Sequence, residues 1–237
     1  WKMCCPPRPR PRPRRKASGS SPFLTASGPR FDGIGAALVA LRKEGIRIAV
    51  YCSSEVDPDA LAVTDARFGT GGGSADADNT CGFSFLNLVD VRLIDRPFLE
   101  RLQPDLVIGG SPCQDLSRLN IQGKGLQGLR SGLFFEFLRI KELCCEVSQH
   151  CAFVLENVVP RLEASLLEMN RCMGVNPLRL NASEVSAAAR DRYYWTNLPV
   201  VRLVPTAEEA TLQDVLVSGR AAEHLDNNLT FDGKARC

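Results

Sequence analysis

Apolar positions along the chain switch between helical and strand spacing from residue 34 onward. Ile34, Leu38 and Leu41 fall at i, i+4 and i+7, which predicts a helix over 36–44 closed by Gly45. A strand is expected over 46–52, then a helix opened by Asp57 and Pro58 that runs to about Phe68. Residues 83–89 read as a third strand, and Asp95 is placed to cap a short helix through Leu102. Residues 105–108 form a β-branched apolar run broken at once by Gly109 and Gly110, the pattern of a buried strand ending in a tight turn. Further along, helices are expected over 133–147 and 162–173, strands over 152–155, 178–180 and 193–196, and a last short helix over 212–217. Strands alternating with helices of about ten residues predict βαβ units. The fold class is therefore α/β, a doubly wound, mostly parallel sheet covered on both faces.

Between these elements, residues 69–82 are rich in Gly, Ser, Asp and Asn and read as a flexible insertion. Residues 123–132 form a glycine-bearing basic loop long enough to be mobile. The chain of 237 residues is large enough for one sizeable core, and no apolar run approaches a membrane span. Its ten cysteines contain no Cys-x-x-Cys pair and only two histidines accompany them, which argues against a zinc site and for thiols in a reducing compartment.

Charge changes the picture at one end. Seven Lys or Arg and no acid lie in residues 1–16, so the remainder carries a net −5 against the whole chain's +2. Contact with nucleic acid would then come from a local patch, the tail or a partner. The Pro-Arg alternation at 7–15 predicts an extended arm, readable as a linker, a nuclear-localisation or phosphate-binding segment, or part of an organelle transit peptide. The expected organisation is a disordered basic arm over 1–30, a catalytic domain over 31–205 and a further region from 206 to 237.

Candidate chemistry gathers at one topological position. Asp32, Glu55, Asp90, Cys113 and Glu156 each fall at the carboxyl end of an expected strand, the edge where open α/β sheets bind ligands. Singly, each acid is an ordinary loop residue and the cysteine an ordinary small hydrophobe. Glu55 lies 22 residues after Gly33, the spacing at which an acid accepts hydrogen bonds from ribose. The Phe31-Asp-Gly-Ile-Gly35 turn lacks the full dinucleotide pattern, which favours a cofactor with one nucleoside and no pyrophosphate, such as S-adenosylmethionine.

Phe31-Asp32-Gly33-x-Gly35, Pro112-Cys113-Gln114, Glu156-Asn157-Val158 and Arg190-x-Arg192, in that order, closely resemble motifs of cytosine-5 DNA methyltransferases. The wording around Cys113, the Leu-Phe-Phe-Glu-Phe run at 133–137 and the stretch 184–199 are similar to the animal de novo subgroup. The resemblance implies a Rossmann-like fold and methyl transfer from S-adenosylmethionine to C5 of cytosine in DNA. Cys113 would be the nucleophile at C6 and Glu156 the partner of the N3 and N4 edge, protonated through burial at a strand end. Arg190 and Arg192 would hold O2 and a nearby phosphate. It also implies a cofactor pocket of Phe31, Asp32, Gly33, Ile34, Glu55, Val56, Asp90, Val91 and Leu133. Ser117, Leu119, Lys124 and Arg130 would meet DNA, with Leu119 the apolar wedge that helps extrude the base. Phe134-Phe135 reads equally as helix core or as a subunit interface, giving homo- or hetero-oligomers. No metal or membrane is implied, and the nucleus is the expected compartment.

Two departures from the family pattern set further expectations. The stretch from Phe23 to Arg30 carries Gly28 and Pro29 where the family has an apolar first strand, which predicts a damaged or missing central strand. Residues 206–237 are expected to be the start of the family's target-recognition region, with the chain stopping before the rest of it and the final motifs. An inactive relative that binds DNA or an active partner, and a cytosine-5 RNA methyltransferase, are the competing readings.

Overall fold

A computed structural model describes residues 21–25, 33–68, 83–88, 90–128, 131–186 and 188–200. The basic run at 1–16, the insertion at 69–82, the expected helix at 212–217 and the whole region from 206 lie outside these residues. Among the described residues seven strands form one sheet, β1 (Ser21–Thr25), β2 (Ile48–Ser53), β3 (Ser84–Asn87), β4 (Leu106–Gly110), β5 (Ala152–Val158), β6 (Leu178–Asn181) and β7 (Asp191–Thr196). Their order is β3-β2-β1-β4-β5-β7-β6. All neighbours up to β5 are parallel, whereas β7 runs antiparallel to both β5 and β6. Five helices, α1 (Ala36–Lys43), α2 (Pro58–Phe68), α3 (Arg96–Leu102), α4 (Leu133–Val147) and α5 (Glu163–Met173), supply the crossovers. No helix of the described residues is long and apolar enough to cross a membrane.

The alternation of side chains along parallel strands divides the core into two layers. On one face Tyr51 and Leu106 pack with Leu38 and Leu41 of α1. On the other, Val107, Phe153 and Leu155 pack with Leu99, Phe134, Phe137, Ile140 and Met169 from α3, α4 and α5. Trp195 is fully buried in this second layer, and its indole N–H donates to Asn170 Oδ1 at 2.8 Å, so the one polar atom of the ring is satisfied. Cys52 lies in the same layer, and burial pushes its thiol pKa up to about 12, which makes it a packing residue rather than a reactive one. Asp95 caps α3 as its spacing predicts, accepting the Phe98 N–H at 2.9 Å.

Three strand expectations are corrected. The sheet centre is intact: β1 lies between β2 and β4, earlier in sequence than Gly28 and Pro29 and inside the segment read as a disordered arm. It contains a proline of its own, Pro22, and the register with β2 shifts between Ser21 and Pro22. A bulge there fits a residue with no N–H to donate, which is how a central strand tolerates proline. β4 continues through both glycines to Gly110, and β5 continues to Val158 instead of ending at Leu155. The extension of β5 comes from β7, which pairs Glu156 with Tyr194 and Val158 with Arg192.

Candidate active site

The register between β4 and β5 pairs Gly110 with Glu156, so the segment leading from Gly110 to Cys113 leaves the sheet beside the acid. Cys113 is half-buried and opens a helical turn, its carbonyl accepting from Leu116 N at 3.0 Å and Ser117 N at 2.8 Å. Asn157 sets the exit of that segment. Its side chain is buried and donates to both Ser111 O at 3.1 Å and Ser111 Oγ at 2.6 Å, while its own oxygen accepts from Val158 N at 2.8 Å. One amide thus fastens β5 to the residue two places before Cys113. Asn157→Ala leaves the Ser111 groups and the Val158 amide buried without these partners, and should cost roughly 2–4 kcal/mol of stability in a denaturant melt. A role in positioning Cys113 also predicts that turnover falls while cofactor KM stays near its starting value.

Glu156 is not enclosed by apolar groups as expected. Its side chain is 29% exposed, and Oε1 meets Arg192 Nε at 2.9 Å and Arg190 Nη2 at 3.3 Å. Both guanidiniums come from the start of β7, whose antiparallel course brings them back across β5. Arg192 is largely buried and also donates to the Asp191 carbonyl at 2.8 Å. Among the described residues no hydrogen bond reaches Oε2, which leaves that oxygen to accept from a ligand. Outside this trio, Arg179 pairs with Asp191 at 2.6 Å across β6 and β7, and that guanidinium holds the Asp191 carboxyl below its ordinary range.

The loop after Cys113 is built by hydrogen bonds from its own chain and from the β5–α5 connection. Gly125 N donates to Asp115 O at 3.0 Å, Arg161 N to Leu116 O at 2.9 Å and Arg161 Nη2 to Gly123 O at 3.1 Å. The Ser131 hydroxyl donates to the carbonyls of Gly125 and Gly128. Gly125 has φ +61°, and a Cβ there would collide with the Ser165 hydroxyl, so this close approach to α5 requires glycine. Ser117, expected against DNA, is buried and its Oγ accepts from Leu119 N at 3.2 Å, which makes it a shaper of the loop. Leu119 is half-exposed and Lys124 exposed; Arg130 lies outside the described residues.

On the cofactor side, Phe31 and Asp32 are likewise outside the described residues. Glu55 is fully buried and its carboxylate accepts from Gly33 N at 3.0 Å and from Val56 N and Asp57 N at 2.8 Å each. It therefore joins the β1–α1 turn to the end of β2. Gly35, at φ +75°, lets that turn approach α2, where a Cβ would stand 2.8 Å from the Phe68 ring. Ile34 and Val56 remain partly exposed beside this junction, a surface suited to a nucleoside. Asp90 is engaged within its own turn. Both its oxygens engage Arg92, the closest contact being 2.7 Å, and this hydrogen bonding holds its carboxyl below the usual aspartate range. Val91 is fully buried in the core, so its side chain packs inward, and Leu133 packs against the same core.

Several residues of this rim were not nominated by sequence reasoning. Ser111, Asp115 and Arg161 act through carbonyl, amide, hydroxyl and guanidinium contacts that have no sequence periodicity. Asn157 did carry a signal, a polar residue continuing a buried strand, and stood unused inside its motif. Gln114, next to Cys113, has a buried Oε1 with no hydrogen-bond partner among the described residues.

A mostly parallel sheet with a reversed final pair, and a thiol, an acid and two arginines at its rim, define a methyltransferase-type α/β domain. The family model for C-5 cytosine-specific DNA methylase matches residues 30–165, and the chain belongs to that family. It is 33% identical over 118 residues to DNA (cytosine-5)-methyltransferase DRM2 of Oryza sativa subsp. japonica, covering 47% of this chain and 18% of that protein. It is 36% identical over 129 residues to orphan methyltransferase M.Rho11sI of Bacillus phage rho11s, covering 54% and 22%. The matches thus span about a fifth of these relatives' length. Among solved structures, the S. pombe Dnmt2 methyltransferase superposes with a TM-score of 0.53 at 16% identity, covering 86% of this chain and 61% of that one. A protein described as a DNA modification methyltransferase of an E. coli prophage gives 0.55 at 18%, covering 83% and 54%. Both support the fold.

Proposed function

We propose that this chain carries the chemical centre of a DNA cytosine-5 methyltransferase. The observation that supports it most is the Gly110–Glu156 register, which sets Cys113 and Glu156 on one rim. Cytosine C5 is too weak a nucleophile to be methylated directly. Addition of the Cys113 thiolate to C6 would push electron density to C5, which would take a methyl group from a sulfonium donor that departs as a neutral thioether; loss of the C5 proton would then expel the Cys113 thiolate. Glu156, with Oε1 pinned by Arg190 and Arg192, offers Oε2 to the N4 amino group of the base, and Arg190, the more exposed arginine, is the one free to turn toward phosphate.

S-adenosylmethionine, the methyl donor of this family, supplies an electrophilic methyl group. Gly33, Ile34, Glu55 and Val56 fit its nucleoside: the backbone amides of Gly33, Val56 and Asp57 fix the Glu55 carboxylate at the turn where a ribose would lie. Asp90 would reach the adenine only by releasing Arg92.

The subgroup-like wording at 133–137 and 184–199 favours an animal de novo type. Phe134 is core while Phe135 is 42% exposed, which assigns any subunit contact to Phe135. Similarity to the plant DRM methyltransferases favours the nucleus as its compartment. Incubation with labelled S-adenosylmethionine and either duplex DNA or transfer RNA tests the proposal. Label in C5 of DNA cytosine supports it, whereas label confined to RNA, or bound cofactor with no transfer, overturns it.

A further inference from the structure

Three cysteines that the proposed chemistry does not use meet where α4 gives way to β5. Cys144 occupies the last turn of the helix and Cys151 immediately precedes the strand; both are buried in the same core layer, whereas Cys145 is exposed. The connection between the buried pair is held by its own backbone, with Ser148 N donating to Cys144 O at 2.8 Å and Cys151 N donating to Ser148 O at 3.0 Å. Cys151 is also fixed from the side of β7. Its carbonyl accepts from Asn197 Nδ2 at 3.2 Å, and the Phe153 amide donates to Asn197 Oδ1 at 2.9 Å. These ties bring the two sulfurs into contact, the Cys144 thiol donating to Cys151 Sγ and the Cys151 thiol donating to Ala152 O at 3.4 Å. Among the described residues no group of three or more His, Cys, Asp or Glu converges to hold a metal ion, so the cluster is a dithiol with a third thiol beside it.

The three thiols differ in reactivity. Burial raises Cys52, whereas at Cys151 the hydrogen bond from Cys144 outweighs burial and draws the thiol below its ordinary value. Cys145 is raised, by desolvation and then by the neighbouring Cys151, and is the poorer nucleophile despite its exposure. Cys151 lies beneath a turn in which Gln149 and His150 are exposed, so a small neutral oxidant has a short path to it. We propose that Cys144 and Cys151 form a peroxide-reactive dithiol, with Cys151 the attacking sulfur and Cys144 the resolving one. The Cys151 thiolate attacks one oxygen of hydrogen peroxide; the O–O bond breaks, Cys151 becomes a sulfenic acid, and the departing hydroxide takes up the thiol proton to leave as water. The Cys144 sulfur, already in contact, then attacks the sulfenic sulfur; the S–O bond breaks and the hydroxide leaves with the Cys144 proton as a second water. Two thiols are oxidised to one disulfide and one peroxide is reduced to two waters. Closure of the pair intercepts the sulfenic acid before further, irreversible oxidation, and cellular thiols can reopen the bond.

The test treats the full chain, and the same chain with Cys145→Ser, with hydrogen peroxide, then alkylates the remaining thiols and digests with trypsin. Residues 142–161 leave as one peptide that carries all three cysteines. In Cys145→Ser this peptide should escape alkylation at both remaining cysteines, weigh two hydrogens less than its reduced form, and return to the reduced form with dithiothreitol. Fragmentation of the peptide from the unsubstituted chain should place the bond between Cys144 and Cys151. Closure should run about tenfold faster in the folded chain than in urea, where the thiol contact is lost. Cys144→Ala, shown to be folded by its melting curve, should instead leave Cys151 as a sulfenic acid that dimedone captures. The urea comparison needs no core variant and decides the question if Cys144→Ala does not fold. A bond made by Cys145, equal rates in the folded and unfolded chain, or oxidation of Cys145 while Cys144 and Cys151 both remain open to alkylation overturns the proposal. None of these readouts uses DNA or a cofactor, so the outcome is independent of the methyl-transfer reading.

Discussion

Cys113→Ala is expected to abolish methyl transfer, with a loss on the order of 10⁴-fold or more, the scale on which enzymes respond to removal of a covalent nucleophile. The fold should survive. Cys113 is half-buried, and the turn it opens is held by its carbonyl, which alanine retains. The discriminating measurement is adduct formation on duplex DNA containing 5-fluorocytosine. Fluorine at C5 cannot leave as a proton does, so a complex that has undergone addition and methylation stays covalently linked. A denaturation-resistant complex should form with the starting chain and be missing with Cys113→Ala, while cofactor binding is equal in the two. An adduct that persists in the variant would move the nucleophile elsewhere.

Glu156→Gln should lower single-turnover methylation by about 10²- to 10³-fold, within the range that a positioned acid or base contributes. The amide keeps the shape of the side chain but removes the charge that Arg190 and Arg192 share. Arg192, largely buried, then faces Arg190 with no anion between them, so a secondary loss of about 1–2 kcal/mol in stability is expected. Arg190→Gln provides the contrast. Its side chain is 53% exposed, and removing it should leave stability nearly unchanged while weakening the hold on DNA. Equal turnover in Glu156→Gln and the starting chain would remove Glu156 from the chemistry.

Local signals reported the local elements well. The helix expected over 133–147 is α4 with the same bounds, because a long apolar stripe between a glycine and a turn leaves little freedom. Asp95 and Pro58 announced helix starts through capping chemistry that depends on neighbours only. What depended on distant partners was read poorly. β5 runs three residues past its apolar stretch because β7, more than thirty residues later, supplies hydrogen bonds to Glu156 and beyond. Glu156 lies among arginines rather than apolar walls for the same reason, since nothing in its own neighbourhood announces Arg190 or Arg192. The motif order was enough to nominate the thiol and the acid, but the Asn157 tie and the contact between Cys144 and Cys151 are features of shape.

The place of β1 has a consequence for where this domain can be cut. A fragment started at Phe31, where the family motifs open, would lack the strand that both β2 and β4 pair with. Two rows of backbone donors and acceptors would then confront each other across a gap in the middle of the molecule. Such bare edges recruit strands from other chains. The short Ser21–Thr25 segment is therefore what keeps the two halves of the sheet a single body, and a preparation begun after it should precipitate before its chemistry can be assayed.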